Sequence, residues 1–427
     1  NMKVIIIGGG WAGVSAGISA KKAGADVHIY EKTDLLLGLG NVGGIMRNNG
    51  RYTALEELKV LGGYEFVNII DSCCRHKDID FPGHKHASLY DVNKIEGVIR
   101  DYVKSLGINI HMESRVYDVN FDGHKIKGIY LSDETYVEGD VFIETTGTTG
   151  PMGNCLRYGN GCSMCILRCP AFGPRISISE RCGVSDIQGE REGDVLGAFS
   201  GSCKLAKESL SEDIVKELNE KGVVVLKIPK EDINYKKLES KVCQQYALKE
   251  FAENVILLDT GHAKLMTTYY PLEKLRKIKG LEHAKYVDPY AGSKGNSIRY
   301  LSVAPRTDDM KVNGVDNLFC AGEKSGLFVG HTEAIVSGYL SGHNSVRLAL
   351  GMPLLILPSS IAIGDLIAYE NEKSKTSEGR KKRYTFAGSV YLKRMIEKGL
   401  YTMDLKEIRK RIEKLNLDNV FDSKLCY

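Results

Sequence analysis

Residues 3–31 constrain this chain more than any other stretch. An apolar run, Lys3–Ile7, leads into a glycine turn with Gly8, Gly10 and Gly13 spaced as G-x-G-x-x-G. Small and apolar residues follow to Ala23, then a second apolar run, Asp26–Tyr30, and an acid at Glu31, 18 positions past Gly13. A glycine turn alone would be weak evidence, but here strand, turn, helix, strand and terminal acid fall in register as a βαβ opening. Gly8 permits the tight turn, Gly10 lets backbone approach a pyrophosphate, and Gly13 lets helix and strand pack closely. Trp11 and Ala12 stand in the first helical turn, whose N-terminus favours phosphate charge. Glu31 can accept both ribose hydroxyls of an adenosine, and Lys32 follows it. The segment specifies a dinucleotide site without separating one dinucleotide from another.

A chain of 427 residues is too long for one hydrophobic core, so several domains are expected. With 43% hydrophobic and 26% charged residues it reads as globular, and a net charge of +4 is too small to mark the whole molecule as a nucleic-acid binder. The basic excess lies at the end: residues 371–427 hold 15 Lys/Arg against 8 Asp/Glu. No apolar run approaches a membrane span, and Val4–Ile7 ends in glycines rather than in a secretory cleavage site. The expectation is a cytoplasmic protein with no membrane partner. In that compartment 11 cysteines point to metal or redox chemistry rather than to a disulfide framework.

Periodicity predicts helices over 12–23, 53–62, 91–106, 204–221, 235–253, 328–350 and 404–415, and strands over 116–121, 126–131, 141–144, 223–228, 255–258, 264–270 and 315–320. Two distant segments identify the dinucleotide as FAD. Asp140-Val-Phe-Ile-Glu-Thr-Thr-Gly147 resembles the strand and "ATG" signature of flavoproteins with two dinucleotide-binding domains, placing Thr146 and Gly147 at the cofactor. Asn317-Leu-Phe-Cys-Ala-Gly-Glu323 resembles their closing strand and "GD" signature, with Gly322 and Glu323 at the ribityl chain and Glu where Asp is usual. Gly330 then leads into a helix whose N-terminal dipole suits the negative charge of reduced flavin. Val116 is counted with the cofactor-contacting positions.

Beyond these signatures the chain resembles the GidA/TrmFO group, flavoproteins that modify uridines in tRNA. Asn41-Val42-Gly43-Gly44-Ile45 and Leu61-Gly-Gly63 look like a shortened GidA-type segment, and Phe172-Gly-Pro-Arg175 is similar to its P-P-R turn. Ala321–Gly326 with Glu333-Ala334 and Gly338–Gly342 resembles a stretch shared by both families, and Leu357–Leu366 a segment near the TrmFO terminus. The resemblance implies a discontinuous, Rossmann-like FAD-binding α/β domain (1–155 and 298–368), an inserted α+β substrate domain (156–297) forming a cleft over the flavin, and a short basic helical tail (369–427). The chain is much shorter than GidA, and the family's catalytic cysteines cannot be placed on it one by one.

Cys155, Cys162, Cys165 and Cys169 lie within fifteen residues, and Pro170 follows the last. Cys-x-x-Cys-x-x-x-Cys-Pro looks like the end of a bacterial ferredoxin motif, with Cys155, Cys182 or Cys203 as a fourth ligand. Three readings stand: a [4Fe-4S] centre beside the flavin, a Cys162/Cys165 redox pair, and a structural zinc knuckle. The preferred expectation is an FAD-dependent oxidoreductase passing electrons between flavin and this centre or a small-molecule substrate or electron carrier, with NAD(P)H as a candidate donor. The alternative is a folate- and FAD-dependent tRNA uridine-modifying enzyme, with tRNA as a partner that is not favoured. Lys324 and His331 are candidate proton donors near the flavin. His84 and His86 are placed in a polar loop, Arg299 and Arg306 beside a strand returning to the FAD domain, and Arg380–Arg383 in a solvated helix approach.

Overall fold

The computed structural model describes residues 1–147, 169–192, 198–200, 203–241, 243–267, 270–289, 297–299 and 301–426. Its centre is a five-stranded parallel sheet in the order Leu318–Cys320, Val141–Glu144, Lys3–Ile7, Asp26–Tyr30, Asn109–His111. Val4, Ile5 and Ile6 are fully buried, as a central parallel strand covered on both faces requires. The sequence joins strands that lie more than 170 residues apart at Ile143↔Phe319, so the domain is discontinuous.

One face of the sheet carries the helix Trp11–Ala23 and, against it, the helix His331–Ala349. Their contact depends on missing side chains. A Cβ on Gly338 would lie 2.5 Å from the Ala12 carbonyl oxygen, and one on Gly342 would collide with that of Ala16. The other face is covered by a small antiparallel sheet, Val116–Phe121, Ile126–Leu131 and Tyr136–Glu138, through Ile126 and Ile129 against Ile5, Ile7 and Phe142.

The inserted region forms a four-stranded antiparallel sheet ordered Cys203–Leu205, Ala263–Leu265, Asn254–Asp259, Val223–Lys227. Alternation along Asn254–Asp259 serves two cores. Val255 and Leu257 meet Ile214 and Leu218 of the helix Glu212–Lys221, while Ile256 and Leu258 meet Ile45, Phe81, Ala87 and Leu89. These last residues belong to a three-stranded sheet, Ile45–Met46, His84–Tyr90 and Cys74–Phe81. Part of the segment assigned by sequence to the FAD domain therefore packs with the insertion.

Several local expectations need correction. Residues 204–221 begin as the strand Cys203–Leu205, and the helix starts only at Glu212, capped by Ser211. Residues 235–253 are not one helix but 3-10 turns at Tyr235–Ser240 and Gln244–Tyr246 with a short helix at Glu250–Glu253. His84 and His86 lie in a strand entered through Gly83 at φ +78°, not in a loop. The tail is packed rather than free: Phe421 is buried against Tyr339, and Leu425 N–H donates to the Ala23 carbonyl at 3.0 Å. Arg380 pairs with Glu190 at 2.9 Å and Arg383 is buried, so the basic run is docked on the protein. Among the described residues no helix is long and apolar enough to cross a membrane.

Candidate functional site

At the carboxyl ends of Lys3–Ile7 and Val141–Glu144 the three glycines occupy different surroundings. Gly8 sits at φ +104°, and a Cβ there would lie 2.5 Å from the Thr145 carbonyl oxygen. A Cβ on Gly13 would collide with the Gly8 carbonyl oxygen. Around Gly10, by contrast, a Cβ would meet no atom within 4 Å. Gly10 is the N-cap residue of the helix from Trp11, whose first turn carries no acidic side chain. The one glycine with space before it therefore faces that space with a helix N-terminus, which fits a pyrophosphate.

Glu31 is fixed beside the glycine turn by hydrogen bonds on both carboxylate oxygens. Its buried carboxylate accepts from Gly9 N–H at 2.9 Å, Thr33 N–H at 2.7 Å and Thr33 Oγ1 at 2.8 Å. Lys32 Nζ instead donates to the Gly173 carbonyl at 2.8 Å. Thr145 Oγ1 donates to the carbonyls of Ile7 and Gly8, locking the second strand to the turn. Thr146 Oγ1 donates to Glu144 at 3.2 Å, the Arg175 guanidinium donates to the Thr146 carbonyl, and Gly147 follows at φ +76°. Val116 is buried at the start of the first strand of the small sheet.

The closing segment meets the turn directly. Gly322 lies at φ +68°, donates to Ser337 Oγ at 2.9 Å, and would place a Cβ 2.8 Å from that of Ala12. Glu323 is half-buried. Lys324 points the other way, into a buried network: its Nζ donates to Asp186 at 2.6 Å and Ser177 Oγ at 2.8 Å, and lies 3.7 Å from Glu144. Glu144 also accepts from Ile178 and Ser179 N–H at 2.7 and 3.0 Å. Burial opposes the Lys324 charge, yet Glu144 and Asp186 raise its pKa; burial pushes Glu144 up in turn. Such a lysine is a structural cation, tied to the sheet rather than presented to a cofactor.

His331 opens the helix behind Gly330, which stands at φ +134° where a side chain would strike the Arg51 guanidinium. Arg51 is buried on Glu333 at 3.0 Å and donates to the Val329 carbonyl at 2.9 Å, fixing this helix start. The His331 imidazole fills the place a Gly43 side chain would take and lies 6.0 Å from the Trp11 ring, centroid to centroid. Asn41 Nδ2 closes its own turn on the Leu36 and Gly38 carbonyls. Gly44, at φ +86°, would drive a side chain into Thr260 of the inserted sheet. Lys264 of the same sheet donates to the carbonyls of Gly43 at 2.6 Å and Val42 at 3.3 Å. Burial holds its pKa down at about 7, with Lys241 and Lys204 adding to the effect.

The structure thus brings Gly8, Gly10, Trp11, Gly13, Gly322, Gly43 and His331 together and turns Lys324 away. Sequence reasoning missed Arg51, Thr260 and Lys264. Lys264 was detectable only as a lone lysine between apolar neighbours. Arg306, suggested as an anion contact, is buried on the Ser325 carbonyl and Glu370 at 2.6 and 2.7 Å. In a core contact His84 Nε2 donates to the Gln245 carbonyl and its Nδ1 accepts from Asn48 Nδ2, and burial lowers its pKa to about 3.

Cys155, Cys162 and Cys165 lie outside the described residues, and Cys169 is described only as backbone at the start of the helix Cys169–Phe172. Of the fourth-ligand candidates, Cys182 is buried in the core beneath the small sheet, its thiol pushed up to about 12 by burial, Glu144 and Asp118, whereas Cys203 stands on the inserted sheet. Among the described residues no group of three His, Cys, Asp or Glu is arranged to hold a metal.

Comparison with known proteins gives a consistent picture. The family described as glucose inhibited division protein A matches residues 3–266 and 236–353. A methylenetetrahydrofolate–tRNA-(uracil-5-)-methyltransferase TrmFO from Synechocystis is 34% identical over 99 residues, 23% of this chain and 21% of that protein. Its counterpart from Lysinibacillus sphaericus is 32% identical over 100 residues, 23% and 22% of the two chains. The alignment therefore spans about a fifth of these relatives' length. Two crystal forms of Aquifex aeolicus GidA share the fold, each with a TM-score of 0.62 at 15% and 16% identity, covering 97% of this chain and 76% and 78% of theirs.

Proposed function

Since this chain belongs to the glucose inhibited division protein A family, and is a GidA/TrmFO-like flavoprotein, we propose that it uses FAD to modify a uridine in tRNA with a folate-derived carbon. This reverses the order of preference drawn from the cysteine spacing. The tRNA-directed alternative has the support of the family match, which runs through both halves of the FAD domain and the insertion, whereas electron transfer through a cysteine centre rests on spacing alone.

The observation that carries the reading is the Gly10 turn, whose Cβ position alone among the three motif glycines is open, with Gly322 packed on Ala12 beside it and the Gly43–His331 contact reaching it through Trp11. Bound there, FAD would supply two-electron redox chemistry. The helix from Trp11 would hold its pyrophosphate, Glu31 its adenosine ribose, and Gly322 with Glu323 its ribityl chain. The helix from His331 would direct its N-terminal dipole, and the His331 ring a proton, at the reactive end. The inserted sheet, with Thr260 and Lys264 against Gly44 and Gly43, would close the other side and exclude water.

Gly10→Val tests the first step. Because a Cβ at Gly10 meets no protein atom within 4 Å, the variant should fold and melt like wild type yet retain no FAD. A variant that keeps full flavin content would sink the assignment of this turn. Protein whose FAD has been reduced, by NAD(P)H or by dithionite, should then yield with tRNA and methylene-donating folate a modified uridine detectable by nucleoside mass spectrometry, with the flavin returned to its oxidised form. Iron with acid-labile sulfide, and no change in tRNA, would favour the electron-transfer reading instead.

A further inference from the structure

Lys264 is not alone. In the inserted sheet Lys204 pairs directly with Lys264 across antiparallel strands, so the two ammonium stems leave the same face at neighbouring positions. Like charges in that arrangement repel. Lys241 joins them: burial lowers the pKa of all three, and Lys241 and Lys204 both act on Lys264. Cys203 and Cys243 lie within electrostatic reach of Lys241 and Lys264. Asp288 faces Lys204, as does His262 on the adjoining turn. Lys264 is only 8% exposed. Beside it Thr260 is fully buried, and its hydroxyl has no hydrogen-bond partner among the described residues.

Crowding three ammonium groups at the edge of a core is costly by desolvation and by mutual repulsion. Both costs fall when an anion enters between them, and a fixed set of cations in a low-dielectric wall attracts one strongly. The cluster also has a direction, since Lys264 is fastened to the Gly43 carbonyl, whose residue abuts His331. An oxyanion held there would carry the rest of its molecule to the reactive end of the dinucleotide site.

We propose that Lys204, Lys241 and Lys264 form a binding pocket for an oxyanion of the small-molecule substrate, a carboxylate or a phosphate, next to Gly43 and His331. The placement of that substrate beside the reactive end rests on the function proposed above; the pocket itself does not.

The test is thermal denaturation and calorimetry of the whole chain at pH 6.5 with two probes, inorganic phosphate and succinate, after flavin content has been measured separately. Wild type should be stabilised by at least one probe, and the probe that binds more tightly assigns phosphate or carboxylate. Lys204→Gln and Lys264→Met should each weaken that binding about tenfold, and Lys204→Arg should retain it. If Lys264→Met does not fold, Lys204→Gln and Lys241→Gln carry the same expectation. Failure of both probes to bind wild type overturns the pocket, as does equal binding by wild type and the lysine variants. A chain that binds the anion but no flavin would leave the pocket standing and overturn the proposed function instead.

Discussion

Lys324 and Lys264 are both buried lysines, exposed by only 1% and 8%, yet their surroundings are opposite. Lys324 meets two carboxylates and a hydroxyl, and its charge is favoured. Lys264 meets two backbone carbonyls and two further lysines, and its charge is disfavoured. The first arrangement satisfies itself and fastens the closing segment to the sheet. The second sets like charges side by side in a buried place, where burial and the neighbouring lysines oppose the ammonium. A buried ionisable group matched inside the protein is an argument for architecture, and one opposed by its neighbours is an argument for a ligand.

Removing each lysine should break this pair in different directions. Lys324→Met strands Glu144 and Asp186 in the core, and one-sided loss of a buried ion pair costs about 3–5 kcal/mol. The variant is expected to lose much of its soluble yield and to melt far below wild type. Lys264→Met removes a repelled ammonium and leaves an apolar chain of similar length. It should melt at or above wild type, by about 1 kcal/mol at neutral pH, while losing anion affinity. Comparable destabilisation of both variants, read by urea denaturation, would erase the distinction between the two sites.

That distinction was half legible in the sequence. The turn at Gly8–Gly13 and the strands Lys3–Ile7, Asp26–Tyr30, Val116–Phe121 and Ile126–Leu131 could be read because each is decided by neighbours in the chain: glycine at fixed spacing, apolar residues buried on one face or both. Lys324 was read as a proton donor from its place after the Gly322 signature. Its partners Asp186 and Ser177 come from more than a hundred residues away. Lys264 escaped notice because a lysine in Ala-Lys-Leu reads as the solvated side of an edge strand, and what covers it, the Val42–Gly43 backbone, is over two hundred residues distant. Lys204 was assigned to a helix because 204–221 has helical composition throughout; pairing with Ala263–Leu265 overrides that preference at its first residues. Residues 235–253 failed for a related reason. Tyr246 is drawn out of any helical period to lie tilted against His84, ring centroids 4.8 Å apart, and Gln245 packs under Gly388.

A smaller effect separates the lysines by pH. The folded pKa of Lys264, about 7, lies below the ordinary 10.5. Between those values the unfolded chain binds more protons at this group, so its contribution to stability rises with pH from about 7 toward 10.5. Lys324 has the opposite sign: its folded pKa is raised, so its stabilisation is complete below 10.5 and is lost only above that. Melting temperatures from pH 6.5 to 9.5 should therefore show the advantage of Lys264→Met over wild type shrinking as pH rises. Lys204, Lys241, Asp288 and His262 share the site, so the narrowing should be broad rather than a single titration. An advantage that is constant or grows over this range would contradict the depressed ammonium.

The smallest expected change is at Thr260, and it sharpens the comparison from the neutral side. Its side chain is fully buried against Gly44, and its Oγ1 has no partner among the described residues. A buried hydroxyl without a hydrogen bond forfeits about 1–3 kcal/mol of solvation, and valine matches its shape without that loss. If the hydroxyl is idle in the empty protein, Thr260→Val should stabilise by up to about 1 kcal/mol, a rise of one or two degrees in melting temperature. If it is kept for the same ligand as the lysines, the variant should also weaken phosphate or succinate binding a few-fold, far less than Lys264→Met. Greater stability together with weaker binding is the signature of a group held ready for a ligand, the counterpart at a hydroxyl of what Lys264 shows at an ammonium. Destabilisation by more than about 1 kcal/mol would mean that the hydroxyl already has a partner inside the fold, and would move Thr260 to the side of Lys324.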